Sequence, residues 1–140
     1  MEKKMEEKLF KRSEVQKLLG VNCVTLQDWR DRGFIPYTSG GGSSGYNILW
    51  SKLDLCKIRL FIYLIKELKI SRTIAGRMIG FLRDWKLDYE ILQFSMSDKG
   101  QPCSAEAVTE EIQFADNIKS ILILHTRRIL KDLLEKLEKE

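Results

Sequence analysis

Residues 20–36 read Gly20-Val21-Asn22-Cys23-Val24-Thr25-Leu26-Gln27-Asp28-Trp29-Arg30-Asp31-Arg32-Gly33-Phe34-Ile35-Pro36. Two helix boundaries are written into this stretch. Gly20 suits the position just past a helix end, where a glycine adopts the left-handed backbone without steric cost. Asn22 is a strong N-cap residue and opens a second helix. Val24, Leu26 and Trp29 count as its apolar positions, and it runs to about Arg32. Gly33 ends it, and Pro36 reinforces the stop. Upstream, Ser13 is followed three residues later by Gln16, a capping-box pattern, so the first helix is expected from Ser13. Val15, Leu18 and Leu19 are its apolar positions. Two short helices joined by a Gly-Val-Asn turn predict a helix-turn-helix.

Downstream, residues 38–45 read Thr38-Ser39-Gly40-Gly41-Gly42-Ser43-Ser44-Gly45. Taken alone this is a flexible linker. It lies between Phe34-Ile35 and Tyr46-Asn47-Ile48-Leu49-Trp50, so two short β-capable segments around a Gly-rich tip predict a hairpin, a wing. Ser51, with Asp54 three residues on, caps the next helix, whose buried face is Leu55, Ile58, Ile62, Ile65 and Leu68. Ser71 starts another helix, with Ile74, Ala75, Met78, Ile79 and Leu82 inside and Trp85 at its end. Residues 89–96 are a candidate strand before the turn Ser97-Asp98-Lys99-Gly100. Ser104-Ala105-Glu106-Ala107 has the look of a helix start, and residues 121–124 fit either a strand or a buried helix. Residues 126–140 alternate Ile129, Leu130, Leu133, Leu134 and Leu137 with charged residues, the pattern of an amphipathic helix.

The expected fold class is therefore mainly α. An N-terminal winged helix-turn-helix with a two-stranded wing is followed by a smaller C-terminal region with a short strand and a terminal amphipathic helix. The expected division is residues 1–8 as a loose N-terminus, 9–84 as the winged domain, and 85–140 as an oligomerisation or effector region.

With 140 residues the chain is too short for a TIM barrel or a full dinucleotide-binding enzyme. Hydrophobic residues at 44% and charged residues at 31% suit a folded domain. The net charge is +4 and the excess is at the front: residues 1–60 hold 11 basic and 7 acidic side chains, residues 101–140 hold 6 and 8. A polyanion, if bound, is met by the front of the chain. Cys23, Cys56 and Cys103 are odd in number and far apart, and His125 is the single histidine. A disulfide framework and a tetrahedral zinc site are both disfavoured, and free thiols point to the reducing cytoplasm. The longest apolar runs fall far short of the roughly 20 residues a membrane helix needs. Nothing assembles a nucleophile, a base and an oxyanion site, so no enzyme activity and no cofactor are expected. Trp29, Phe34 and Trp50 read as core anchors, Cys23 and Cys56 as small buried apolar residues, and His125 as structural or solvated.

The second helix of a helix-turn-helix normally enters the major groove. The positions expected to be exposed there are Thr25, Gln27, Asp28, Arg30, Asp31 and Arg32. Gln reads adenine through two hydrogen bonds, and Thr donates, accepts or touches a thymine methyl. Thr25 and Gln27, nearest the helix start, are assigned to base readout. Arg12, Arg30, Tyr46 and Asn47 are assigned to backbone positioning. Arg30 and Arg32, about 200° apart, divide between groove and flank.

As an ordered set, Gly20-Val21-Asn22, Thr25-Leu26, Trp29, Arg32-Gly33-Phe34-Ile35-Pro36, Gly45-Tyr46-Asn47, Trp50-Ser51 and Asp54-Leu55 resembles the motif of the MerR family of transcriptional regulators. The resemblance covers about residues 9–82. It implies a winged helix-turn-helix that binds double-stranded DNA, a homodimer joined by a C-terminal helix, and an effector of unknown identity. The family's metal sensors carry clustered cysteines beyond that helix, which this chain lacks, so metal sensing is not expected. Gln27 stands where the family has arginine, Asp28 where it has an aromatic residue, and Asn47 where the wing has arginine. These departures motivate a second expectation, a protein-interaction scaffold on the same fold. A third is an excisionase-like, nucleoid-organising binder that bends or bridges DNA.

Overall fold

The first helix is capped two residues earlier than the Ser13-Gln16 pattern predicts. In the computed structural model, which describes residues 8–40, 48–82, 91–96, 102–108 and 120–139, helix α1 spans Arg12–Leu19. Its cap is Lys11, whose backbone N–H donates to Glu14 Oε1 at 3.2 Å. Glu14, not Gln16, thus supplies the returning side chain, and Ser13 lies inside the first turn. The reason is the strand in front: β1, Leu9–Lys11, fixes the chain as extended up to Lys11 and leaves the helix to start there.

Gly20 takes a φ of 67° and ends α1 as expected. Helix α2 spans Cys23–Asp31, and the Asn22 side chain accepts from the Val24 N–H at 2.8 Å. Gly33, at φ 76°, turns the chain out of α2, and the Phe34 N–H still donates to the Trp29 carbonyl. Phe34-Ile35 is consequently not a strand. Its backbone is spent closing the helix end, and Ile35 is buried in the core.

Strand β2, Leu49–Ser51, finds its partner elsewhere. It pairs antiparallel with β1, setting Phe10 opposite Trp50 and Lys11 opposite Leu49. On its other side an isolated bridge joins Ser39 to Leu49. The loop between them is thereby closed at its base, with residues 41–47 outside the described set.

Helix α3, Lys52–Lys66, is the centre of the fold. Ser51 Oγ accepts from the Asp54 N–H at 3.1 Å, and the Asp54 carboxylate accepts from the Ser51 N–H at 2.9 Å, the expected capping box. Leu55, Cys56, Ile58, Leu60, Phe61 and Leu64 are wholly buried. The helix stops at Lys66, so Leu68, expected on its inner face, is past its end and exposed. Helix α4, Arg72–Gly80, is capped by Ser71, whose Oγ accepts from the Ile74 N–H. It ends before Trp85, which is outside the described residues. Gly76 lets α4 approach the turn after α2: a Cβ there would stand 3.1 Å from Phe34 Cα.

The C-terminal region holds more sheet than expected. Three antiparallel strands, β3 (Ile91–Met96), β4 (Pro102–Val108) and β5 (Ser120–His125), lie in the order β4-β3-β5. The candidate strand at 89–96 is β3, and residues 121–124 resolve as strand. Ser104-Ala105-Glu106-Ala107 is part of β4, not a helix start. Pairing with β3, Ala105 opposite Phe94, overrides a local preference that is weak in any case. Helix α5, Thr126–Glu138, follows β5 without a break and lies against α3.

The described chain is thus mainly helical, with a two-stranded antiparallel sheet at the front and a three-stranded one behind. A single hydrophobic cluster runs from Phe10 through Trp29, Phe61 and Met78 to Phe94, Leu124 and Leu137.

Candidate nucleic-acid interface

Aromatic packing fixes the pose of α2. The Trp29 ring meets Phe61 of α3 edge-on, with centroids 5.0 Å apart, and Phe34 stacks on the same Phe61 at 6.0 Å. Leu26 is buried beside them. These contacts hold one face of α2 down and leave Val24, Gln27, Asp28 and Asp31 in solvent. Val24 therefore does not belong to the inner face. It is two residues from Leu26, about 200° around the helix, so the two cannot point the same way.

The first turn of α2 opens on a cleft of about 510 Å³. Asn22 and Thr25 stand on one wall, Lys66 at the end of α3, and Ser71 and Arg72 at the start of α4. Two helices thus begin at its rim and two, α1 and α3, end there, so the helix dipoles oppose one another and the side chains set the charge of the cleft. Lys66 and Arg72 have no ion-pair partner among the described residues. The charged side chains that line the cleft, Lys66 and Arg72, are both basic, and Val21, Trp29 and Ile70 line it too.

The predicted residues separate into groups. Thr25 lines this cleft, and Gln27 is exposed on the outer row of α2. Arg30 is not the exposed cation that was expected. Its side chain is 13% exposed, and its Nη2 pairs with Asp31 Oδ1 at 2.5 Å. The cause is its place one residue after Trp29 and four after Leu26, at the edge of the buried face. Arg32 is exposed, but its Nε donates to Asp28 Oδ1 at 2.9 Å. Each arginine of this segment is thus paired to an aspartate of the same helix. Arg12 is the first residue of α1 and half-buried, next to Lys11 and the base of the Ser39–Leu49 loop, not in the cleft. Tyr46 and Asn47 lie outside the described residues.

Lys66 and Arg72 were missed by sequence reasoning. Ser71 was legible as a cap, but nothing local tells that the start of α4 meets the start of α2. Asp54 was seen only as a cap partner. Its buried carboxylate also accepts from Thr38 Oγ1, tying the first residue of the loop to the start of α3. Lys57, one turn further on, is half-buried, and that burial pulls its pKa down against the opposing pull of Asp54.

Among the described residues no group of three or more His, Cys, Asp or Glu is placed to hold a metal ion, and no helix is long and apolar enough to cross a membrane. No protein-family model matches the chain, and no curated protein matches it in sequence.

Proposed function

We propose that the chain is a sequence-specific binder of double-stranded DNA, a transcriptional regulator acting as a homodimer. The observation that carries this reading is the cleft at the open first turn of α2, whose charged lining residues are both basic. The second helix of a helix-turn-helix carries Thr25 there, across the gap from Lys66 and Arg72, which have no ion-pair partner among the described residues. In the proposed complex Gln27, on the outer row of α2, meets a base edge, and Thr25, Lys66, Arg72 and the starts of α2 and α4 hold phosphates in the cleft. The loop closed at Ser39 and Leu49 acts as a wing on the adjacent backbone, with Lys11 and Arg12 at its base. Arg30 and Arg32, already paired within α2, contribute little net charge.

The test is selection from random duplexes, followed by affinity against salt. Lys66→Ala and Arg72→Ala are each expected to weaken every duplex alike and flatten the salt slope by about one ion. Gln27→Ala is expected to relax preference at one base pair, by about 1–3 kcal/mol on the right site. An unchanged salt slope in both cation variants would remove the cleft from the interface.

The Arg30–Asp31 and Arg32–Asp28 pairs favour a second reading, a protein-interaction scaffold on the same fold, because they leave α2 electrically neutral. That reading is supported if no duplex is enriched even at low salt. Selected duplexes without a common sequence, bent or bridged on binding, would instead support a nucleoid-organising role.

A further inference from the structure

Val24 is the most exposed of the large apolar side chains among the described residues, at 71%, and it occupies the first turn of α2. Its row along the helix continues through Gln27, Asp28 and Asp31, all exposed, at spacings of three, four and seven. Every other member of that row is polar. The Val24 backbone N–H is already used, donating to Asn22 Oδ1 at 2.8 Å. What this residue can offer a partner is therefore two methyl groups and nothing else. A β-branched side chain in a helix has one strongly preferred rotamer, so those methyls stand in a fixed place.

The edges of base pairs in the major groove carry hydrogen-bond donors, acceptors and a single kind of apolar group, the C5-methyl of thymine. Resting on the DNA reading above, we infer that Val24 is a specificity-determining residue that selects thymine, by apolar contact with the C5-methyl, at the base pair facing the first turn of α2. Gln27, one turn further along the same row, reads a neighbouring pair by hydrogen bonding. Recognition by α2 thus combines one apolar and one polar contact and needs little charge, consistent with a helix whose arginines are neutralised by its own aspartates.

The experiment replaces each thymine of the selected duplex, one at a time, by deoxyuridine, which keeps the base pairing and removes the methyl. One replacement is expected to weaken the native protein about fourfold, the weight of a single methyl-sized contact. The same replacement is expected to leave Val24→Ala unaffected, and Val24→Ala is expected to bind the intact site as weakly as the native protein binds the uracil site. Val24 is exposed and Ala is the better helix former, so this variant keeps the fold, checked by an unchanged melting temperature. If no thymine is sensitive, or if the penalty persists in Val24→Ala and vanishes in Thr25→Ser, the inference is overturned while the DNA reading stands. If no duplex is enriched at all, the DNA reading fails and takes this inference with it.

Discussion

Asp54 joins three segments through one carboxylate. It accepts from the Ser51 N–H, accepts from Thr38 Oγ1, and lies at the start of the central helix, nearly inaccessible to water. Asn in its place keeps the shape but loses the charge and one acceptor. Asp54→Asn is expected to cost about 1–3 kcal/mol, the price of a weakened charge-assisted bond in a buried place. Melting by circular dichroism checks this, and an unchanged midpoint would show that the loop is not anchored there. Cys56, two residues on, has no accessible surface, and burial pushes its thiol up to about 12. Only the thiolate is nucleophilic, so at pH 8 Cys56 stays protonated and out of reach. Iodoacetamide is expected to label the half-buried Cys23 in the native protein, and Cys56 only after denaturant is added. The sign also fixes an alkaline effect: above about pH 9 the unfolded chain ionises this thiol while the fold keeps its proton, so this group's contribution falls from there toward about pH 12.

Among the elements, α5 differs most from its expected role. Its apolar stripe was to be the seam of a homodimer, but Leu130, Leu133 and Leu137 are buried within the chain, where α5 lies against α3 and touches α1. The stripe is spent on the chain's own core. Leu133→Ala is expected to lose about 2–4 kcal/mol, with a correspondingly lower urea midpoint. A loss near zero would mean that α5 is not part of the cooperative unit. Removing residues 126–140 is likewise expected to yield a poorly folded product rather than a well-behaved monomer, because it uncovers α3. Helix α2 illustrates the opposite case, an element whose ends are set locally by Asn22 and Gly33 but whose outer row is decided by Trp29 and Phe61 packing beneath it.

At the scale of the whole molecule, one core crosses the division drawn at residue 84. Phe94 and Leu124 belong to the same cluster as Phe10 and Trp50. Of the C-terminal elements it is α5 that packs on α3, which in turn meets α2 through Phe61, while the sheet lies against α4 and α5. If two copies act together, the selected DNA site is expected to be a palindrome with half-sites one helical turn apart or a multiple of it. Sequencing of the selected pool reads this directly. A single asymmetric site, together with a monomeric mass by sedimentation at high micromolar concentration, would rule out the homodimer.

Most helix ends were legible from residue order alone because their hydrogen bonds span only two or three residues; the Lys11–Glu14 cap of α1 is the exception, set by β1 in front of it. Asn22, Gly33, Ser51 with Asp54, and Ser71 mark helix ends correctly because cap and partner are neighbours in the chain. The inward Leu26 and Trp29 follow from helical spacing, and the same spacing, applied to Val24, puts it outside. Tertiary structure alone decided the partner of β2, the strand nature of Ser104-Ala105-Glu106-Ala107, the inward α5, and the meeting of Thr25 with Lys66 and Arg72. Each of these joins segments tens of residues apart, and no local pattern encodes which distant backbone or apolar face will be there to receive it.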